Sequence, residues 1–239
     1  MKALLLNGSP RGKNSNTLLL AEAFLRGMCC EYNTITLAEK AFAPCNGCMT
    51  CWAKGDGTCV FQDDMQEILQ AVFEADVIVE SFPLFYFGMP AKMKAFTDRT
   101  FCLMQPYHGQ SLGENCCTFQ TPRDDRLGQK KLVLISTCGY TDANLMFDAM
   151  LRQYDLLCYG RNYTPILCPQ GELLQVQQLA PQLRRRFAAV EAAGQQYAQT
   201  LSLPEEVLED LRKPLVDPRV FEMIAQRHWA ARNKEGQQK

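Results

Sequence analysis

Largely apolar runs alternate along the chain with segments in which apolar residues recur every three or four positions. Lys2–Asn7, 76–82 and Lys131–Thr137 are runs of the first kind, and each predicts a strand buried on both faces. A weaker β-branched run at 34–37 and an apolar stretch at 158–167 predict two further strands. Five amphipathic helices are predicted between and after these strands. Their apolar faces are Leu18, Ala21, Leu25 and Met28; Met65, Ile68, Leu69, Val72 and Phe73; Met93 and Phe96; Leu145, Met146, Ala149 and Met150; and Val176, Leu179, Leu183, Phe187 and Val190.

The alternation of strands and helices predicts an α/β fold with a parallel sheet that is covered on both faces. Five such units fit the flavodoxin-like, doubly wound strand order 2-1-3-4-5. In that order a ligand binds at the carboxyl ends of the first and third strands, which flank the switch point. The loops after Asn7, Phe82 and Thr137 are therefore expected to form the ligand site.

Two segments lie outside this core. Residues 104–129 form a long aperiodic stretch, which predicts a lid, a partner contact or a disordered loop. Residues 1–203 are expected to form the flavodoxin-like domain and residues 204–239 a C-terminal helical tail. The tail has an apolar face that should pack on the core or on a partner subunit, so a homo-oligomer, dimer or higher, is expected. The residues of this face are Phe221, Ile224, Ala225, His228 and Trp229.

Composition narrows the class of protein. The 26 acidic and 25 basic residues nearly balance, which argues against a nucleic-acid partner or an anionic membrane surface. The apolar run after Met1 is too short for a signal peptide, and no stretch approaches the roughly 20 apolar residues of a membrane helix. A cytoplasmic protein with reduced cysteines is therefore expected. Four of its 12 cysteines lie in or beside apolar stretches and are expected to be buried: Cys102, Cys138, Cys158 and Cys168.

Residues 8–17, called the phosphate loop below, join the first predicted strand to the first helix. The glycines permit tight turns, the hydroxyls can bind an anion, and the helix N-terminus directs free N–H groups at the loop. A Walker A loop does not fit, because Gly8 and Gly12 enclose three residues and Asn14 stands where a hydroxyl should bind magnesium. No Gly-x-Gly-x-x-Gly dinucleotide fingerprint occurs, and an ordinary βα turn is the alternative. The predicted phosphate ligands are Ser9, Arg11, Ser15, Asn16 and Thr17.

Residues 83–88, called the aromatic loop, follow the third predicted strand. Their apolar side chains are suited to shielding a flat ring, and Gly88 lets the backbone approach it. A plain apolar turn is the alternative, but the position at the switch point favours a ring site. The predicted ring contacts are Pro83, Leu84, Phe85, Tyr86, Phe87 and Gly88.

These loops resemble those of the NADPH-dependent FMN reductase family. The phosphate loop, with Gly8-Ser9-Pro10-Arg11 and Asn16-Thr17, is similar to that family's FMN phosphate loop, and residues 81–99 look like its second signature. Ser136 to Gly139 resembles its third flavin loop, which adds Thr137, Cys138 and Gly139 to the predicted site. The likeness covers roughly residues 1–200 and implies FMN rather than FAD as cofactor. Phe85 stands where relatives often carry Tyr, so one hydroxyl near the flavin edge is missing.

Residues 45–59, called the cysteine loop, carry four closely spaced thiols. Their spacing is Cys-x2-Cys-x2-Cys-x7-Cys, which lets thiolates surround a [4Fe–4S] cluster, and it resembles the compact motif of iron–sulfur flavoproteins. A structural zinc site and a metal-free loop are the alternatives. The metal-free loop is favoured by Trp52, because a Trp directly after the third cysteine resembles the sequences of plain flavin oxidoreductases of the family. The predicted metal ligands are Cys45, Cys48, Cys51 and Cys59.

The resemblance implies an FMN-dependent NAD(P)H oxidoreductase that passes electrons to a small acceptor such as a quinone, a nitro compound or free flavin. Because a bound flavin would carry the chemistry, no catalytic side chain is nominated; His108 is expected on a surface loop and His228 on the tail helix. One alternative is an iron–sulfur flavoprotein that carries electrons between redox proteins. Another is a nucleotide-binding regulator that uses the same loop without redox chemistry.

Overall fold

A computed structural model describes residues 1–106, 120–158 and 163–236 of the chain. Its five strands form one parallel sheet in the order β2-β1-β3-β4-β5, which confirms the predicted flavodoxin-like topology. The strands are β1 (Lys2–Asn7), β2 (Glu31–Thr36), β3 (Val77–Pro83), β4 (Lys131–Thr137) and β5 (Thr164–Cys168).

The register of the sheet brings the ends of β1, β3 and β4 together. Asn7 lies beside Ser81, and Pro83 lies beside Thr137, so the three strands end at one edge of the sheet. The phosphate loop, the aromatic loop and the loop after β4 start from this edge. The predicted convergence of these three loops is thus built into the strand pairing.

Helices cover both faces of the sheet. On one face α1 (Asn16–Met28), α7 (Ala180–Thr200) and α8 (Glu205–Leu211) pack into one hydrophobic cluster. On the other face α3 (Met65–Glu74), α4 (Ala91–Arg99) and α6 (Ala143–Leu157) form a second cluster. The remaining helices are the short α2 (Thr50–Lys54) and α5 (Asp125–Gln129) and the C-terminal α9 (Pro218–Gly236).

Helices α1 and α7 approach each other through two glycines. A Cβ atom on Gly27 would lie 1.9 Å from the carbonyl oxygen of Glu191, and one on Gly194 would lie 2.0 Å from that of Phe24. Since no side chain fits at these distances, both positions require glycine. The close crossing places α7 directly over α1, the helix whose first turn belongs to the phosphate loop.

Several predicted boundaries and faces are corrected. The first strand and the fourth match their predicted bounds, but β2 begins earlier than predicted, at Glu31. It ends at Thr36, because Leu37 belongs to a short 3-10 turn rather than to the strand. Helix α7 begins at Ala180, since residues 171–179 form short 3-10 turns. In α6 the predicted face was only partly right: Met150 is buried as predicted, but Leu145 is 66% exposed, and the helix also buries Ala143, Phe147 and Tyr154.

The stretch 104–129 is only partly described. Met104 pairs with Pro122, and α5 lies at its end, so the stretch is not wholly without regular structure. Residues 107–119, and with them the prediction for His108, lie outside the described residues. Among the predicted buried cysteines, Cys102, Cys138 and Cys168 are buried, and Cys158 is half-buried.

The tail after residue 203 is attached to the core along its first part. Leu208 and Leu211 of α8 are buried in the α1 and α7 cluster. Arg186 donates to the carbonyl oxygens of Leu211 and Lys213. Gln170 bonds both the N–H and the carbonyl of Val216, at 3.0 Å each. The division at residues 203 and 204 stays a prediction.

The apolar face of α9 is only partly covered. Phe221 is buried, whereas Ile224 and Trp229 are exposed. The partner subunit predicted for this face therefore stays a prediction. In the described part of the chain, no helix combines the length and the apolar character that crossing a membrane requires.

Candidate functional site

The phosphate loop is held in shape by the last residue of β1. Asn7 donates from Nδ2 to the carbonyl of Gly12 at 2.9 Å, and its Oδ1 accepts from the N–H of Ser9 at 3.2 Å. Gly12 adopts a φ of +55°, a left-handed conformation that glycine takes without strain. Asn7 was not predicted as a site residue. The signal that could have indicated it is a polar residue at the end of an otherwise apolar strand.

The first turn of α1 supplies hydroxyl groups to the same loop. Ser15 caps α1 by accepting from the N–H of Leu18 at 3.3 Å, and the Oγ of Ser9 accepts from the N–H of Arg11 at 3.3 Å. Thr17 shares a hydrogen bond of 2.6 Å with Thr137, the last residue of β4. Free N–H groups at the helix start, together with nearby hydroxyls, are suited to binding a phosphate.

The loop after β5 completes the cradle. Asn16 donates from Nδ2 to the carbonyl of Gly171 at 2.7 Å, and its Oδ1 accepts from Gln175 at 2.6 Å. A Cβ on Gly171 would lie 2.5 Å from the Cβ of Thr137, so this glycine lets the two loops touch. Gly171 was not predicted as a site residue. It follows a strand that ends at the same sheet edge, and that was the missed signal.

A cavity of about 140 Å³, called the cradle below, lies where these loops meet. It brings together ten of the predicted FMN-site residues with two that were missed, Gly171 and Glu172. The predicted residues lining it are Ser9, Arg11, Ser15, Asn16, Thr17, Pro83, Leu84, Thr137, Cys138 and Gly139. Burial raises the pKa of the Cys138 thiol to about 11, so this thiol stays neutral near pH 7.

The aromatic loop forms a tight turn beside the cradle. Phe85 and Gly88 exchange two backbone hydrogen bonds, of 2.9 and 3.0 Å, while Tyr86 and Phe87 occupy left-handed conformations. Tyr86 is 98% exposed, and Phe87 stacks against Tyr140 with ring centroids 6.1 Å apart. Phe85, Tyr86, Phe87 and Gly88 therefore do not line the cradle and stand outside it. Left-handed non-glycine residues are strained, and such strain often marks a binding site.

The four cysteines of the cysteine loop are close in sequence but do not converge. Cys45 and Cys48 are exposed, and Cys51 and Cys59 are half-buried. Burial raises the pKa of Cys51, and the negative charges of Cys59 and Cys45 add to this effect, whereas hydrogen bonds from Thr50 lower that of Cys48. Within the described residues, no three metal-binding side chains form a common site.

Arg99, at the end of α4, holds the base of the cysteine loop. Its guanidinium donates twice to the Asp63 carboxylate, at 2.8 and 2.9 Å, and once to the carbonyl of Ala43 at 2.8 Å. These hydrogen bonds lower the pKa of Asp63. Asp63 and Asp64 stand directly before α3. Besides binding Arg99, Asp63 accepts through Oδ1 from the N–H of Met65, the first residue of α3, at 3.2 Å, while Asp64 accepts from the N–H of Ala41 at 2.7 Å because the preceding loop folds back over the helix start.

Comparison with known proteins agrees with this geometry. The family model described as NADPH-dependent FMN reductase matches residues 1–154. An iron-sulfur flavoprotein of Methanocaldococcus jannaschii is 38% identical over 102 residues, which is 42% of this chain and 52% of that protein. An iron-sulfur flavoprotein of Archaeoglobus fulgidus is 38% identical over 109 residues, which is 45% of this chain and 47% of that protein. The chain thus spans about half the length of the curated relatives it matches.

Two solved structures share the fold. An FMN-dependent NADH-azoreductase from Bacillus anthracis, solved with FMN, aligns at a TM-score of 0.58 with 18% identity, over 82% of this chain and 99% of the other. An NAD(P)H:quinone oxidoreductase from Methanothermobacter marburgensis aligns at 0.55 with 15% identity, over 82% of this chain and 96% of the other.

Proposed function

Because the chain belongs to the NADPH-dependent FMN reductase family, we propose that it is an FMN-dependent NAD(P)H oxidoreductase. The proposed acceptor is a small molecule such as a quinone, a nitro compound or free flavin. One observation carries the proposal: the loops after β1, β3 and β4 meet at a cradle that combines hydroxyl groups, an arginine and a helix N-terminus.

The residues of the cradle fit a single phosphate. Ser9, Ser15 and Thr17 are each 1% exposed as residues, yet all three line the cavity beside the start of α1. Arg11 contributes a positive charge at its rim. The absence of a second glycine-rich phosphate loop in the sequence supports FMN over FAD.

Bound FMN would supply hydride acceptance and electron transfer, and the chain would supply binding, orientation and shielding. Pro83 and Leu84 form the apolar wall of the cradle, with the N–H of Leu84 fixed to the carbonyl of Thr137 at 2.7 Å. Among the described residues that line the cradle, Arg11 and Glu172 carry the charges. We expect Arg11 to bind the phosphate, since a charge-assisted hydrogen bond is among the stronger ones.

The cofactor test is direct. Acid release and chromatography of the bound chromophore should yield FMN, and recovery of FAD would refute the assignment. Arg11→Ala should weaken FMN binding about 10-fold to 100-fold, from the roughly 1.5–3 kcal/mol of a charged hydrogen bond. Lys13→Ala is the matched control, because Lys13 is exposed on the same loop and does not line the cradle. Equal losses of FMN affinity in the two variants would mean that Arg11 acts only through its general positive charge and not through a direct contact with the phosphate.

The reaction test uses NADPH and NADH separately with a quinone as acceptor. Oxidation of either cofactor that depends on both FMN and quinone supports the reductase. A preparation that cannot be reconstituted with FMN would favour a nucleotide-binding regulator instead.

A second candidate function is that of an iron–sulfur flavoprotein which carries electrons between protein partners. It is favoured by the names of the relatives that are 38% identical and by the four spaced thiols. As placed, the thiols do not form a common coordination sphere, so no step of the proposed reaction depends on a cluster.

Metal analysis of anaerobically purified protein separates these functions. A [4Fe–4S] cluster requires about four irons per chain, and Cys45→Ala should remove them while FMN stays bound. Cys29→Ala is the control, because Cys29 is an exposed free thiol outside the cysteine loop. One zinc per chain would indicate a structural site, and no metal would leave the simple reductase.

Assembly and location are part of the same proposal. The exposed side of α9, with Ile224 and Trp229, supports a homodimer. The ten cysteines that the structure describes are free thiols, which supports a reducing, cytoplasmic location. Light scattering that gives a monomer mass at micromolar concentration would contradict the dimer.

A further inference from the structure

A second cavity, of about 230 Å³, lies on the other side of β3 and β4 from α1, between these strands, α4 and α6. It shares no lining residue with the cradle. Most of its walls are apolar, including Val72, Phe96 and Leu132. This cavity, called the Glu80 cavity below, is not used by the proposed oxidoreductase reaction.

The unusual group in this cavity is a carboxyl on a central strand. Glu80 lies in β3, on the same side as Phe82, and only 8% of its surface is exposed. The hydroxyl of Tyr154 donates to its Oε2. Within the described residues, no other group donates to this carboxyl and no cation pairs with it. A buried carboxylate with one neutral donor is under-satisfied, and such a group is costly to keep.

The nearby ammonium groups do not neutralise Glu80. Lys130 lines the cavity, but its Nζ donates to the carbonyls of Phe73 and Ala75, at 2.8 and 2.5 Å. Lys131 also lines the cavity and forms no ion pair with Glu80. A carboxyl facing an apolar cavity with its charge unmatched is suited to a ligand that brings its own positive charge.

We infer that the Glu80 cavity is a binding site for a small, mainly apolar molecule that carries a protonated amine, with the amine paired to Glu80. The apolar walls would bury the ring or chain of the ligand. The carboxyl on β3 would select for the cation over neutral and anionic molecules of the same shape. This inference does not rest on the proposed reductase function, because the two cavities are separate.

The probes are three molecules with one ring and different charge: benzylamine, benzyl alcohol and benzoate. Calorimetry on the full chain at pH 8 should show one benzylamine site per chain, with an affinity at least tenfold above that of benzyl alcohol. Benzoate should not bind measurably. Equal affinities for the three probes would overturn the inference. So would the absence of saturable benzylamine binding up to 10 mM, a dissociation constant that corresponds to a binding free energy of about 2.7 kcal/mol.

Two variants assign the effect to Glu80. Glu80→Gln keeps the shape of the side chain and should reduce the preference for benzylamine to less than twofold. Glu206→Gln is the matched control, since Glu206 is exposed on α8. Circular dichroism and FMN content check that the first variant folds. If FMN displaces benzylamine from wild-type protein, the amine belongs to the cradle and the inference fails.

The pH dependence gives an independent readout. Burial raises the pKa of Glu80 to about 7, against a smaller lowering by Tyr154. The other titratable groups facing it are Tyr154 of α6 and Cys158, the residue after α6. Burial holds the pKa of the tyrosine well above its usual value and raises the pKa of the thiol to about 12. Lys130 and Lys131 also line the cavity, and burial lowers the pKa of Lys130. With the tyrosine and the thiol neutral, benzylamine affinity should fall about tenfold per pH unit below 7. A flat profile from pH 5 to 8 would overturn the pairing.

Discussion

Gly171→Ala tests whether the cradle depends on close contact between the loops after β4 and β5. The new Cβ would lie 2.5 Å from the Cβ of Thr137 and 3.0 Å from its Oγ1. Since Gly171 does not adopt a left-handed conformation, the effect is steric rather than one of backbone strain. Thr137 cannot yield freely, because its hydroxyl is bonded to Thr17 at 2.6 Å. The substitution must therefore move a wall of the cradle.

The magnitude follows from two contributions. Overpacking of a buried contact costs about 1–3 kcal/mol, and loss of the hydrogen bond between Thr17 and Thr137 costs about 0.5–1.5 kcal/mol. We expect a loss of about 2–4 kcal/mol in the free energy of unfolding of the FMN-bound protein. If half of this loss falls on the bound state alone, the FMN affinity drops about 5-fold to 30-fold.

Two measurements check the prediction: urea unfolding with and without FMN, and FMN titration followed by flavin fluorescence. Gly128→Ala is the control, because its Cβ would meet its nearest atom, the Cγ of Pro122, at 3.9 Å. The control also corrects for the lower chain entropy of alanine in the unfolded state. Wild-type FMN affinity in Gly171→Ala would refute the view that Thr137 positions the cradle.

Three further substitutions test other contacts. Glu80→Gln should remove a pH dependence of the free energy of unfolding, because the pKa of Glu80 is raised from 4.5 to about 7. In urea unfolding, wild-type protein should lose about 3 kcal/mol of stability relative to the variant as the pH rises from 4.5 to 7. Gly194→Ala places a Cβ 2.0 Å from the carbonyl oxygen of Phe24 and should cost about 3 kcal/mol, lowering the Tm by about 6–12 °C; an unchanged Tm would contradict the close crossing. Asp63→Asn breaks a buried ion pair with Arg99 and should cost about 3–5 kcal/mol at pH 7. Because the pKa of Asp63 is lowered, that difference should begin to shrink as the pH falls below 3.8 and be lost once the pH is below the lowered pKa; a difference that does not shrink with falling pH would contradict the ion pair.

The strands were predictable because a parallel sheet covered on both faces buries every residue of its central strands. The runs Lys2–Asn7 and Lys131–Thr137 show this pattern, and their bounds match. The predicted start of the edge strand β2 lay too far along the chain, because the first four residues of this strand are exposed and show no apolar pattern. The face of α6 was predicted only in part, because Phe147 and Tyr154 were left out of the periodicity. Tyr154 turns inward to reach Glu80.

The candidate site was predictable as far as topology fixes it. Strand order locates the loops after β1, β3 and β4, so Ser9, Thr17 and Thr137 are predictable from the sequence alone. Glu172 was not predicted, because the loop after β5 joins the cradle through tertiary contacts with Asn16, Thr137 and Cys138. The exposure of Tyr86 was also unpredictable, since an apolar sequence does not reveal a strained turn.

Helix α4 contacts both regions for which a redox role is proposed, the loops of the FMN cradle and the base of the cysteine loop. It begins just after the aromatic loop, and with nine residues it is about 13 Å long. At its start Met93 packs so closely on Gly8 of the phosphate loop that a Cβ there would lie 2.9 Å from the methionine sulfur.

The other contacts of α4 reach the base of the cysteine loop. Lys92 donates to the carbonyl of Phe42 at 3.1 Å, and Arg99 holds Ala43 and Asp63. A change in the cysteine loop, by metal binding or by thiol oxidation, would therefore act on a rigid helix that also packs against the phosphate loop. This link requires no cluster, because it is made by side chains of the chain itself, the buried Met93 and Arg99 and the half-buried Lys92. The cysteine loop thus has a physical route to the cradle in a reductase as well as in an electron carrier.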